Sequence, residues 1–248
     1  MSQLKAQIRK IRRRNAARHW YIPEALFLQV ATDELIRQAL AETPSYQREE
    51  TVARISQHGK KIFGILVLLD LAARVSKFIE ASELRDERLP FKLVVLVQDV
   101  GLSEDEANDF HERQWELTAP VFFRGTLHTN MTDYTVMPFE KDEELGQGSF
   151  GLVYKVSLDP DHQGAGSLFP KVFARKEFKL DRNPKANRSS DSHQRELRNL
   201  AILSCLKHPN IVALLGCTHI YRAAPAVRAR SCDHHRPCST SLGHRTGP

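Results

Sequence analysis

At 248 residues the chain is long enough for one or two domains, and 41% hydrophobic with 27% charged residues excludes a fibrous or intrinsically disordered class. Four cysteines are too few for a disulfide framework at this size, which points to reduced thiols. The net charge of +6 is gathered at the N-terminus rather than spread along the chain.

Met1-Ser2-Gln3-Leu4-Lys5 leads into basic residues, so no secretory signal is expected. Lys5, Arg9, Lys10, Arg12, Arg13, Arg14 and Arg18 flank a narrow apolar stripe of Leu4, Ile8 and Ile11. This predicts a basic helix lying on a neighbouring bundle. Without aromatic interleaving or a base-reading module, nucleic acid is not the expected partner. Acidic lipid heads, or nuclear import through Arg12-Arg13-Arg14, are the other uses such a segment could have.

From Pro23 to Leu117 the pattern is helical. Pro23-Glu24 opens a helix carrying Leu26, Phe27, Val30, Leu35, Ile36 and Leu40, which Thr43-Pro44 should end. Gln47 to Ile55 reads as a shorter helix. Ile62 to Leu69 is apolar on every side and belongs at the centre of a bundle, continuing through Leu71, Val75, Phe78 and Ile79. Leu89-Pro90-Phe91 interrupts, and Leu93 to Val97 fits either strand or helix. Ser103-Glu104-Asp105-Glu106 caps a further helix with Phe110, Trp115 and Leu117. Trp115, Phe122 and Phe123 read as core. The run from Ile62 to Leu71 is too short to span a bilayer. A soluble intracellular protein, cytoplasmic or nuclear and without a transmembrane segment, is the expectation. Residues 1–125 are therefore expected to form a helical N-terminal region, and the polar, turn-rich residues 126–138 a linker.

The strongest signal follows. Gly146, Gly148 and Gly151 fit G-x-G-x-x-G, a spacing shared by dinucleotide-binding folds and protein kinases. Charged Glu140 to Glu144 precede the glycines and Leu152-Val153-Tyr154-Lys155-Val156 follows them, which predicts strand, glycine turn and strand rather than strand and helix. Residues without Cβ let backbone N–H groups approach anionic oxygens closely. After the polar Asp159 to Gly166, a second run, Val172-Phe173-Ala174-Arg175-Lys176-Glu177-Phe178, alternates as a strand. Either Val172, Ala174, Lys176 and Phe178 form its inner row, with an anion beside Lys176, or Phe173 and Arg175 do. Ser192 to Leu206 then repeats apolar residues at helical spacing, with Cys205 on the apolar face, and Lys207-His208-Pro209-Asn210-Ile211-Val212 stops it.

The order of glycine loop with Val153, the Phe173-Ala174-Arg175-Lys176 strand, and the helix before His208-Pro209-Asn210-Ile211-Val212 resembles the N-lobe of the eukaryotic protein kinase superfamily. The resemblance covers about Phe139 to Gly216, giving a partial kinase domain over residues 139–221. The wider arrangement resembles kinase-domain proteins of filamentous fungi with a helical leader. It implies an α+β chain: a helical N-terminal domain, then antiparallel strands with one helix. It further implies ATP as cofactor, with Mg2+ in a complete kinase domain, and phosphoryl transfer to a protein hydroxyl, taken as serine or threonine. By the same resemblance Leu145, Gly146, Gly148, Ser149, Phe150, Gly151, Val153 and Ala174 would surround the nucleotide, Lys176 would hold its phosphates and Glu196 would pair with Lys176. The paired glutamate usually stands nine residues before the histidine, where this sequence has Asn199. Either the helix carries an insertion after Glu196 or the pair is missing.

Ile211 to Cys217 resembles the fourth kinase strand. From Arg222 only Val227 and Leu242 are large aliphatics, so residues 222–248 read as disordered or out of frame. Neither H-R-D-x-x-x-x-N nor D-F-G occurs in the chain, and the expectation is a truncated, inactive kinase-like protein. The alternative is a non-catalytic helical interaction or adaptor protein. Cys232, His234, His235 and Cys238 match no common zinc spacing, so no metal ligand set is expected.

Overall fold

A computed structural model describes residues 2–40, 45–148, 151–167, 169–178, 195–196, 198–202 and 213–221. Thr43, Pro44, Cys205, the His208 to Val212 run, the whole segment from Arg222 and its cysteine–histidine cluster lie outside the described residues. The architecture is α+β, a helical unit followed by small sheets.

The helical unit is built around α5 (Lys60–Leu68), whose residues from Ile62 to Leu68 are all buried. An all-apolar helix must be covered on every side, and α1 (Gln3–Ile11), α4 (Ser45–His58) and α8 (Glu104–Leu117) cover it. One core runs from Leu4 to Leu117, with Phe78, Phe91 and Phe110 packed ring against ring at 5.3 to 6.3 Å. Gln114, buried in this core, donates to the Phe91 carbonyl and accepts from the Phe91 N–H, so the loop after Leu89-Pro90 leaves no orphan there. Ser103 and Glu106 close a reciprocal capping box at the start of α8. No helix among the described residues is long and apolar enough to cross a membrane.

Several elements differ from their sequence reading. The helix expected from Pro23 to Leu40 is two, α2 (Glu24–Val30) and α3 (Asp33–Ala39), because extended Thr32 turns its hydroxyl to the Leu35 N–H and starts a new helix. The apolar segment does not continue unbroken past Leu69. Asp70 takes a positive φ of 62°, and a short 3-10 turn (Ala72–Arg74) leads into α6 (Val75–Glu80). Leu93–Gln98 is helical, α7.

The basic N-terminal helix also ends sooner than its charge run suggests. α1 buries Leu4 and Ile8, but the chain leaves it after Ile11 and turns back as an antiparallel hairpin of β1 (Arg13–Arg14) and β2 (Trp20–Tyr21). The guanidinium carbons of Arg12 and Arg14 lie 4.4 and 4.3 Å from the Trp20 ring centroid. A cation held against an aromatic face stiffens so short a hairpin.

Two further sheets lie among the described residues. β4 (Phe139–Gly148), β5 (Gly151–Leu158) and β6 (Phe173–Phe178) form an antiparallel sheet in that order, with β5 central. Its inner face packs Phe139, Val156 and Leu158 with Phe122 and Met131 into a second core. β4 is an edge strand covered in charge, which discourages pairing with another chain.

β3 (Leu127–Thr132) pairs in parallel with β7 (Cys217–Tyr221). The segment read as a linker thus carries a strand. The apolar run read as a fourth kinase strand is corrected too: Ala213 to Gly216 are not in a strand, and β7 joins β3 rather than the β4–β6 sheet. A short apolar run specifies extended backbone and leaves its neighbour to be chosen by whichever open edge is in register. Here Gly125 donates to the Leu215 carbonyl and Cys217 to that of Thr126, which sets that register.

Candidate functional site

The glycine motif lies at the tip of the β4–β5 hairpin, where Gly148 faces Gly151. Gly151 has no room for a side chain, since a Cβ there would run into the Glu177 carbonyl oxygen on β6. Gly148 is different. A Cβ built on it meets nothing within 4 Å among the described residues, so the surrounding fold does not itself require glycine there. Ser149 and Phe150 lie outside the described residues.

The sheet register gathers candidates separated by thirty residues of sequence. Gly146 on β4 pairs with Val153 on β5, and Val153 pairs with Lys176 on β6, so the three form one row across the sheet. Ala174 lies on the same face as Lys176, two residues along, opposite Lys155. Leu145 falls where the β4–β5 register shifts, and it is exposed.

Of the two readings of β6, the structure has the second. Phe173 packs on the inner core and Arg175 lies between β4 and β5 residues on that side. Val172, Ala174 and Lys176 are exposed. The reason is the size of the groups: Arg175 covers the rings of Tyr154 and Phe139, at 4.6 and 5.2 Å, and donates to both oxygens of Asp142 across the sheet. Ala174 could cover neither ring.

Lys176 nevertheless has an anion. Its Nζ donates to Glu196 Oε1 at 2.6 Å, from a strand to a helical segment that includes residues 195–196 and 198–202. Both side chains remain about one third accessible, at 33% and 34%. Lys176 Nζ also lies 5.0 Å from the Phe178 ring centroid. Asn199, at the position where the resemblance would place the glutamate, is exposed one turn further along. The row can therefore present a cation, an acid that orients it, and an uncluttered glycine backbone to a bound anion.

A second polar cluster, which sequence reasoning missed, lies at the opposite end of the hairpin. Asp159, immediately after β5, is fully buried. It accepts from Arg13 Nη1 at 2.6 and 2.7 Å, from the Tyr21 hydroxyl at 2.7 Å and from the Asp161 N–H at 2.9 Å. Burial works to raise this carboxyl, but the bonds from Tyr21 and Arg13 outweigh it and hold Asp159 below the usual carboxylate range. Burial, with the Asp159 bond, pushes the Tyr21 phenol well above its ordinary value. His162, also fully buried, donates Nδ1 to the Pro120 carbonyl and meets the Tyr21 ring edge-on at 5.2 Å. Burial lowers its pKa, and its Nε2 has no hydrogen-bond partner among the described residues. The only trace of this cluster in the sequence is Asp159-Pro160, a start signal for the 3-10 turn Pro160–His162; nothing local marks Asp159 as buried.

A comparison with known proteins suggests a kinase-like region in this chain. Over 100 residues, 40% of this chain, the sequence is 32% identical to the tyrosine-protein kinase transmembrane receptor Ror of Drosophila melanogaster. The chain spans 13% of that relative's length. No protein-family profile matches the chain, and no solved structure does.

Proposed function

We propose that the β4–β6 sheet, with Glu196, is the nucleotide-binding part of a protein kinase domain, taking ATP with its phosphates over Gly146, Gly148 and Gly151. The observation that carries this reading is the 2.6 Å contact of Lys176 with Glu196, made from the same row as Val153 and Gly146. Lys176 holds the α- and β-phosphates and Glu196 holds Lys176 in place. Leu145, Val153 and Ala174 offer apolar surface to the adenine. A Cβ on Gly148 would meet nothing among the described residues, which supports a close approach of phosphate oxygens to the backbone.

The donor set suits a polyphosphate. It does not by itself suit Mg2+, because the described residues bring no group of three or more His, Cys, Asp or Glu together. The metal belongs to a complete kinase domain, where it would neutralise charge on the phosphates during transfer to a protein hydroxyl. Phosphoryl transfer rests on positioning and electrostatic stabilisation. Since these 248 residues contain neither H-R-D-x-x-x-x-N nor D-F-G, they are expected to bind nucleotide weakly and to transfer nothing.

The helical unit supports a second reading, an interaction module, because its core from Leu4 to Leu117 is separate from the core beneath the sheet. Calorimetric titration of the chain with MgATP tests the first reading. Wild type should bind and Lys176→Met should lose at least tenfold in affinity; equal affinity would remove the nucleotide assignment and leave the interaction module.

A further inference from the structure

The basic segment, read in the sequence as a helix lying on a neighbouring bundle, places α1 in the bundle core and continues as a hairpin between the helical unit and the glycine hairpin. On one side it is tied to the bundle. Arg12 donates to Glu116 on α8 at 2.9 Å, the Ile22 N–H donates to the Glu116 carbonyl at 2.7 Å, and α1 is part of the bundle core. On the other side it reaches both strands of the β4–β5 hairpin at their base. The Ala16 N–H donates to the Phe139 carbonyl at 2.8 Å and Asn15 Nδ2 to the Met137 carbonyl at 3.0 Å, at the start of β4. Arg13 and Tyr21 close on Asp159 just past the end of β5, and Arg13 Nη2 reaches Asp161 at 2.6 Å.

These contacts have the form of a docking site with its occupant seated. The receiving side is a fully buried carboxylate whose oxygens each accept two hydrogen bonds, three of the four from Arg13 and Tyr21, beside a buried imidazole. The entering side is a hairpin stiffened by two arginines on Trp20. A buried carboxylate without its cation is costly, so the site favours the seated state strongly. Because the contacts fall on both strands of one hairpin, they restrain its tilt and opening at the base.

We propose that the β1–β2 hairpin is an intramolecular docking element through which the helical unit governs the mobility of the glycine hairpin. The consequence for ligand binding rests on the nucleotide reading above; the docking itself does not. A partner that displaced the hairpin would loosen β4 and β5, and one that clamped the helical unit would quieten them.

Amide hydrogen exchange on the full chain tests this, with two variants. Arg13→Met removes the cation, and Tyr21→Phe removes a single hydroxyl while keeping the ring against His162. Peptides covering 139–158 should exchange at least tenfold faster in Arg13→Met and severalfold faster in Tyr21→Phe, while those covering α5 and α8 stay within twofold of wild type. Unchanged exchange in 139–158 for both variants overturns the proposal, and so does equal acceleration in bundle and sheet, which would mean general destabilisation. MgATP added to wild type separates the two readings. If it protects 145–155, the half-saturating concentration should rise about tenfold in Arg13→Met, and an unchanged value overturns the control of ligand binding. If it protects nothing, the nucleotide reading fails, and the docking is judged by the exchange rates alone.

Discussion

Arg13 and Asp159 stand 146 residues apart in the chain and meet as a fork, one guanidinium nitrogen reaching both carboxylate oxygens at 2.6 and 2.7 Å. The acid is fully buried while the arginine side chain remains 36% accessible. The pair is therefore asymmetric: losing the arginine leaves a charge inside the protein, whereas losing the acid leaves one that water can reach.

Arg13→Met is accordingly expected to cost more than Asp159→Asn. About 3 kcal/mol is the expectation for the first, at the lower end for a buried pair cut in half, because Tyr21 and the Asp161 N–H remain as donors. Amide exchange over 139–158 in the two single variants and the double variant measures this, since the loss is expected in the sheet and not in the bundle. A purely additive cycle would contradict the coupling.

Acid should weaken this junction in two steps. A histidine whose folded pKa is depressed lends stability above its unfolded value, near 6.5, and loses it as pH falls toward the folded value; burial places His162 in this class. Asp159, also depressed, lends stability above about pH 3.9 and loses it as pH falls through its lower folded value. The His162 ring signals followed by NMR should titrate below the ordinary histidine range, and a His162→Gln variant should lack the first step.

Asp86 should behave with the opposite sign. Its two oxygens accept the N–H groups of Lys61 and Ile62 at the start of α5, at 2.8 and 3.0 Å, yet burial outweighs those bonds and raises its carboxyl. A raised carboxyl lends stability that is full below its unfolded value and lost as pH rises through the folded one. Asp86→Asn should remove that dependence while losing one cap bond, at about 1 kcal/mol near neutrality. Stability measured from pH 4 to 8 for both proteins checks the slope.

The glycines separate structural from ligand-directed roles. Gly151→Ala forces a Cβ onto the Glu177 carbonyl and should destabilise the sheet by on the order of 2 kcal/mol. Gly148→Ala meets nothing among the described residues and should change stability by no more than about 0.5 kcal/mol. If phosphates approach that backbone, the same variant should still weaken MgATP binding severalfold. Thermal melts and calorimetry on the two variants read the difference.

Gly64→Ala probes the bundle core in the same way. Its Cβ would stand 2.7 Å from the Phe27 ring, so α2 and α5 must part or Phe27 must turn. A loss of roughly 1 to 3 kcal/mol is expected for overpacking of this kind, read from the shift in urea midpoint at unchanged slope.

The elements legible in the sequence were those encoded within a few residues. The all-apolar stretch after Lys60 could only be a buried helix, Ser103 with Glu106 could only begin one, and glycines between a charged run and a β-branched and aromatic run made a hairpin turn. The kinase resemblance named Glu196 as the partner of Lys176 but left open that the pair was missing, and the two are in contact. Tertiary structure decided the rest, because the deciding contacts are not local. Alternation along β6 defines two faces without saying which is covered, and the rings of Phe139 and Tyr154 drew Arg175 inward, leaving Lys176 on the accessible side. The apolar run before Cys217 did not fix which residues become strand or which edge they join, and β7 begins at Cys217 and pairs with β3. A basic run specifies charge but not its partners, and Arg12 and Arg13 found theirs on α8 and after β5 only once packing had brought those elements to the same place.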